Sequence, residues 1–435
     1  MHLLRRTGLT PTLDDVTPLL AMTRAQLVDW VFDYSPNPAI TWSPPDRSWS
    51  SAAAIRGWWV DRMASAPRPL EERMTLFWHN HFATAFRKVG DATLMWNQQQ
   101  IFRTLGLGDF NVLAKAVSTD PAMLVWLDGA YSTKWGPNEN FSRELMELFL
   151  LGAGNGYVES DVRELARAWT GHTLIRDADW NVLGSTFDAT WHDNDPKTIF
   201  GVQSNWEGTH VLDEMIIAGR SLGSMRLRVA RHIAKKLWTW FAYPNPDSGL
   251  LDQLATMLAS TPNMNIGAFL RAMFNLDAFY TDTAKFGLIR DPLLWSSSLL
   301  RTSGLSFAQS HLEWYLSELS MNPLDPPNVS GWRSNRSWMN LSAYWKRSET
   351  AFTMFQSAKQ AAPTGAAFMA GAETLAPTAM VDQALMLFGE DRIAPGGATY
   401  DSLVALVGLD RTNTSWAQKE NLARTLALSP EYSLA

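Results

Sequence analysis

Apolar residues recur at helical spacing along most of this chain. In NENFSRELMELFLLG (138–152), Phe141, Leu145, Leu148 and Phe149 fall at i, i+4, i+7 and i+8, and Gly152 stands where a left-handed residue closes a helix. SDVRELARAWTG repeats the pattern, with Val162, Leu165, Ala166 and Trp169 on one face and Gly171 at the end. In MTRAQLVDWVF, Thr23 and Gln26 occupy capping-box positions, with Met22 and Leu27 placed for a hydrophobic staple. The same reading predicts helices over 51–66, 69–86, 91–105, 109–118, 210–219, 224–243, 248–259, 266–276, 292–302, 309–320 and near 341–360.

Three stretches break the helical period. PNPAITWSPPDRSWSS (36–51) is a proline-rich loop. Between 172 and 209, β-branched and aromatic residues alternate with Asp, Asn and Gly, which predicts a hairpin followed by a loop. NPLDPPNVSGWRSNRSW (322–338) is a second long irregular element. The expected fold is therefore mainly α: an irregular multi-helix bundle with a small β-hairpin insertion near 172–202. The expected organisation is a main helical domain over 1–360 with the insertion at about 172–209. An Ala/Gly/Pro-rich hinge over 361–380 and a C-terminal helical tail over 381–435, packed on the main domain, would follow. LAKAVSTDPAM, LRAMFNLDAFY and LARTLALSPEY echo one another, as helices stopped and restarted by a polar residue rather than as a true repeat.

Composition narrows the classes of function. The chain is 46% hydrophobic and 18% charged, as in ordinary globular proteins, and its 435 residues exceed one typical core, so that two packed subdomains fit. Net charge is −6 without a basic run, which disfavours nucleic acid as a partner. The absence of cysteine excludes disulfides, thiolate zinc sites and a cysteine nucleophile. MHLLRRTGLTPTLDD carries a basic pair with no apolar region behind it, so no signal peptide is read and the chain as encoded is expected in the cytoplasm. No stretch approaches the ~18 apolar residues of a membrane span. The many tryptophans are read chiefly as core.

Four polar constellations carry the candidate chemistry. In MTLFWHNHFAT (74–84), a helix places Met74, Phe77, Trp78, His81 and Phe82 on one face and His79 about 200° away. Two histidines at i, i+2 cannot grip one metal from a helix, so His81 is the candidate acid/base or ligand; the bland alternative is a pair of structural histidines. In NENFSRELMEL, Arg143, Glu144 and Glu147 form a polar stripe whose two carboxylates can ligate a metal or move a proton, or else build an ion network. WHDNDPKT (191–198) places His192 and Asp193 in a loop. DPPNVSGWRSNRSW offers Asn328, Trp332 and Trp338 for a ligand such as a sugar, or a loop plugging the core.

These segments, in this order, resemble the bacterial family called domain of unknown function 1800. The resemblance runs from LLRRTGLTPT through MTLFWHNHFAT, NENFSRELMELFLLG, GYVESDVRELARAWTG, HDNDPKTIFG, RHIAKKLWTWF and DPPNVSGW to LALSPEY. It implies a largely helical fold and no assigned activity. It places His79, Asn80, His81, Arg143, Glu144, Glu147, His192 and Asp193 within the family's motifs. It also implies a partner, a sulfatase-like protein of the domain of unknown function 1501 family, with export alongside it. The chain departs from the family pattern at Gly8-Leu9-Thr10, where G-F-G is usual, at Phe149, often His, and at His172, where Trp is expected.

Two functions follow as expectations. The first is a binding or assembly protein whose polar residues fix helix packing. The alternative is a hydrolase-like enzyme with His81, Arg143, Glu144, His192 and Asp193 as catalytic candidates. Its site would be either metal-free acid/base or metal-assisted, with a divalent metal on His81, Glu144, Glu147 and His192.

Overall fold

Short polar side chains begin the helices. Thr23 and Gln26 form the reciprocal capping box, with Thr23 N–H donating to Gln26 Oε1 at 2.9 Å. Asp91, Asp247, Asn265 and Asp291 each accept backbone N–H groups of the first turn that follows them. Asp120 and Ser429, two of the stop–restart positions, cap the short helices Pro121–Trp126 and Pro430–Ser433.

The computed structural model describes residues 1–9, 11–361, 372–409 and 415–434. They form a mainly α-helical fold with two small antiparallel hairpins. His172–Arg176 pairs with Val182–Phe187, with a register shift at Ile175/Arg176. Lys197–Ile199 pairs with Val202–Ser204, a second hairpin where the sequence pointed only to a loop. Its two-residue turn puts Phe200 at φ +48° and Gly201 at φ +78°, the left-handed pair that matches strand twist. Of the Ala/Gly/Pro stretch expected as a hinge over 361–380, residues 362–371 lie outside the described residues. The helix Pro377–Leu387 begins within it.

Apolar side chains gather into two clusters. The first holds Phe77, Trp78, Phe82, Phe110, Phe149, Leu237, Trp238 and Phe274. The second holds Trp59, Leu76, Trp96, Trp295, Tyr315, Trp332, Phe355, Leu422 and Tyr432. The helix Leu70–His81 belongs to both, giving Met74, Phe77 and Trp78 to one and Leu76 to the other. It is therefore buried on nearly every side rather than amphipathic. Its acidic start is anchored at Glu72, which accepts Trp59 Nε1–H at 2.7 Å, Arg62 Nε–H at 2.6 Å and Arg103 Nε–H at 3.0 Å. Burial pushes this carboxyl up, but the Arg103 and Arg62 guanidinium groups hold it below the usual range.

The element expected as one helix over 138–152 changes pitch. Glu139–Glu144 is α-helical and Leu145–Leu150 widens into a π-helical turn. Leu151 and Gly152 both donate to the Met146 carbonyl, at 3.0 and 3.2 Å, and Gly152 sits at φ +90°. The carbonyls of Leu148 and Phe149 are thereby left free to accept from elsewhere.

Candidate functional site

The two histidines of WHNHF point into different surroundings. His79 is fully buried on the second-cluster side, edge-on to Trp59 and Trp332. Its Nε2 accepts the Leu324 N–H at 3.1 Å, and burial lowers its pKa to about 3, so it is a neutral acceptor that holds the 322–338 loop. Asn80 holds the same loop, its Oδ1 accepting the Trp332 N–H at 2.7 Å. Gly331 permits this approach: it sits at φ +84°, and a Cβ there would lie 2.3 Å from Asn80 Oδ1.

His81 faces the other way. Its Nε2–H meets the Phe149 carbonyl at 3.1 Å, which leaves Nδ1 as an acceptor for Lys236 Nζ at 3.0 Å. Lys236 also donates to the Leu148 carbonyl at 3.2 Å, and the same carbonyl takes the His232 Nε2–H at 2.9 Å. Three basic side chains thus converge on the free carbonyls of the π-helical turn, the negative end of that helix. Burial lowers Lys236 to about 8 and, with Lys236 beside it, His232 to about 4. Burial and Lys236 together push His81 well below its usual value.

These groups lie in a cleft of ≈ 680 Å³ between the helices Leu70–His81 and Arg226–Phe241, the 151–155 loop and the 330–334 segment. Phe77, Trp240 and Trp332 form apolar parts of its wall. Arg231, His232, Lys235 and Lys236 line it from one helix, and no Asp or Glu side chain is among its lining residues. Arg231 pairs with Asp252. Lys235 and Lys236 have no carboxylate partner among the described residues.

The other expected residues sit elsewhere. Arg143 binds Glu159 at 2.8 Å, Glu139 at 3.2 Å and Glu147 at 3.9 Å in a network on the outer face of its helix. The hydrogen bonds to Glu159 raise the Arg143 pKa. Glu144 is half-buried, its carboxyl raised by burial and by Glu147. His192 is buried with Nδ1 2.8 Å from the Thr170 carbonyl, and Asp193 accepts Arg167 Nε–H at 2.7 Å. The expected meeting of the two helices thus takes place through the Phe149 carbonyl. Neither Glu144, Glu147, His192 nor Asp193 is a hydrogen-bond or ion-pair partner of His81 in the structure. Among the described residues no group of three or more His, Asp or Glu side chains is placed to hold a metal ion. The physical reason is that Arg143 and Arg167 draw Glu147 and Asp193 into ion pairs of their own. In the loop, Trp332 lines the cleft, and Trp338 is buried with its Nε1–H on the Arg333 carbonyl at 3.1 Å. Asn328 is exposed and closes a turn by accepting the Ser330 N–H.

The residues missed from sequence are Arg231, His232, Lys235 and Lys236 of RHIAKKLWTWF. Their signal was present: Arg231/Lys235 stand at i, i+4 opposite the buried stripe Val229, Ala230, Ile233 and Leu237, and His232/Lys236 stand at i, i+4 along its edge. No helix among the described residues is long and apolar enough to cross a membrane. No curated protein and no solved structure matches the chain. A family pattern does, over residues 2–434, and it takes in every segment of the cleft. The chain belongs to the family described as Protein of unknown function (DUF1800).

Proposed function

We propose that this protein binds a small anionic molecule, a carboxylate or a phosphate, in the cleft beside His81. The observation that carries the reading is the cleft lining: Lys235 and Lys236, without a carboxylate partner among the described residues, beside two histidines and Arg231, which is itself paired with Asp252. Cations of one sign in a concave, partly apolar site concentrate the field on an anion. The size of the cleft falls within the range of about 300–1,000 Å³ common for small-ligand sites. The buried indole N–H groups of Trp240 and Trp332 have no acceptor among the described residues and add unspent donors to its walls.

The test is a calorimetric titration with inorganic phosphate and with L-lactate, repeated on an Arg231→Ala/Lys235→Ala double variant. Neither side is buried, so the variant should fold. Binding to the parent that weakens roughly 10-fold or more in the variant, about 1.4 kcal/mol, supports the reading. Equal affinity in both, or no binding of either anion, removes it.

A second reading has its own observation. The first hairpin exposes Ile175 (45%), Trp180 (76%) and Leu183 (61%), an apolar surface that fits an assembly role with the sulfatase-like partner. Co-purification of that partner with the parent, lost in Trp180→Ser/Leu183→Ser, supports it. Co-purification that survives the substitutions, or none with the parent, counts against it.

A further inference from the structure

We propose that Lys236 is a nucleophilic amine that condenses with the carbonyl group of an anionic aldehyde or ketone held in this cleft. The inference rests on the anion-binding reading above and adds a covalent step to it.

The geometry supports a nucleophile rather than a structural ion. The Lys236 Nζ ends on two neutral acceptors, His81 Nδ1 at 3.0 Å and the Leu148 carbonyl at 3.2 Å, with no carboxylate among the described residues beside it to hold it charged. His81 cannot turn away, because its Nε2–H is committed to the Phe149 carbonyl. It therefore orients the amine whether or not the amine carries its third proton, and its role is positioning. The groups sharing the cleft with Lys236 are His81 from the neighbouring helix, Arg231 (paired with Asp252), His232 and Lys235 from its own, and uncharged Asn80, Ser330 and Ser334 across the cleft. A buried ammonium with no carboxylate beside it readily gives up its proton, because burial penalises the charged form. With its pKa lowered to about 8, half of Lys236 is free amine at pH 8, against roughly one part in 300 for an ordinary lysine. Lys235 and Arg231, one turn earlier on the same helix, are placed to hold the acid group of the substrate.

The step balances as follows. Lys236 ammonium releases one proton to water, and the Nζ lone pair attacks the carbonyl carbon. The C–N bond forms and the carbonyl π pair moves to oxygen; one proton passes from the nitrogen to that oxygen, directly or through water, giving the neutral carbinolamine. Loss of that oxygen as water, with one more proton taken up from solvent, leaves the protonated imine. The net change is ammonium plus carbonyl giving iminium plus water, with no oxidant or reductant.

Pyruvate with sodium cyanoborohydride at pH 8 tests this, the reduced adduct being mapped by peptide mass spectrometry. L-Lactate, which carries the acid group without the carbonyl, serves as binding probe and competitor. The expected result is modification of Lys236 at least ~10-fold faster than of Lys235 and slowed by lactate. In Lys236→Arg, which keeps the cation but not the amine, the adduct at this position should be lost. If lactate binds but Lys236 reacts no faster than Lys235, the amine inference falls and anion binding stands. If Lys236 reacts fastest yet lactate neither binds nor protects, the anionic substrate is wrong. If lactate does not bind and there is no preference, both readings fall.

Discussion

Gly331→Ala measures how far the 322–338 loop depends on its contact with WHNHF. Two costs separate cleanly. An alanine at φ +84° adopts the left-handed region at about 1 kcal/mol. Its Cβ would also lie 2.3 Å from Asn80 Oδ1 and 2.4 Å from the Asn80 carbonyl oxygen, inside any real contact distance. The backbone carbonyl cannot swing aside, because it belongs to a helix buried on nearly all sides, so the loop must move outward. That movement breaks the 2.7 Å bond from Trp332 N–H to Asn80, worth about 1 kcal/mol. It also loosens Trp332, which is 6% exposed, at about another 1 kcal/mol of lost burial. The expected loss is about 3 kcal/mol. Gly90→Ala is the control: φ is +69°, but nothing lies within 4 Å of the added Cβ, so only the backbone cost of about 1 kcal/mol applies. Urea unfolding followed by tryptophan fluorescence compares the two variants, and lactate titration reads the cleft that Trp332 lines. If Gly331→Ala lies within about 0.5 kcal/mol of Gly90→Ala, the docking argument is refuted.

Further outcomes follow from the buried polar groups. Glu72→Gln leaves Arg103 without its carboxylate, while Arg62 keeps Glu71, and should cost about 3 kcal/mol in the same urea assay, since breaking a buried ion pair from one side strands the other charge; a loss under 1 kcal/mol would contradict the anchoring role. Asp120 is buried beside Gln98 with no cation, and burial raises its pKa to about 7. Its folded value exceeds the unfolded one, so its contribution is present at low pH and is lost as pH rises from about 4 to 7. Asp120→Asn, which keeps a capping oxygen, should therefore gain stability relative to the parent across that window; a pH-independent difference would count against it. His79 and His232 have folded pKa values of about 3 and 4, below the unfolded 6.5. Here the sign is reversed: stability is full above 6.5 and falls as pH drops toward those values, by up to about 1.4 kcal/mol per pH unit for each histidine. Proton uptake on unfolding at pH 5 should drop by about one in His79→Gln, and an unchanged uptake would show that His79 is not held neutral.

Much of the candidate site was legible because its signals are local. WHNHF and NENFSRELMELFLLG do come together, and the Thr23/Gln26 capping box forms as written. The carboxylate stripe of the second motif drew attention to side chains, whereas the contact runs through its backbone carbonyls. Lys236 was missed because nothing in RHIAKKLWTWF shows that one of its cations faces a histidine 155 positions earlier in the chain.

The sequence by itself determined which long stretches are helical, many of their caps, where the first hairpin lies, and which polar residues cluster, although the helix expected over 69–86 stops at His81 and a short helix, Phe86–Val89, follows it. All of these follow from spacing, caps and turn residues within a few positions of one another. Tertiary structure alone decided that His79 and His81 divide between two hydrophobic clusters, and that Arg143 and Asp193 pair outside the cleft. It also decided that a π-helical turn frees two carbonyls for three basic groups from other helices. Those outcomes depend on which buried polar group finds a partner across the core, and that competition is settled only when the helices pack.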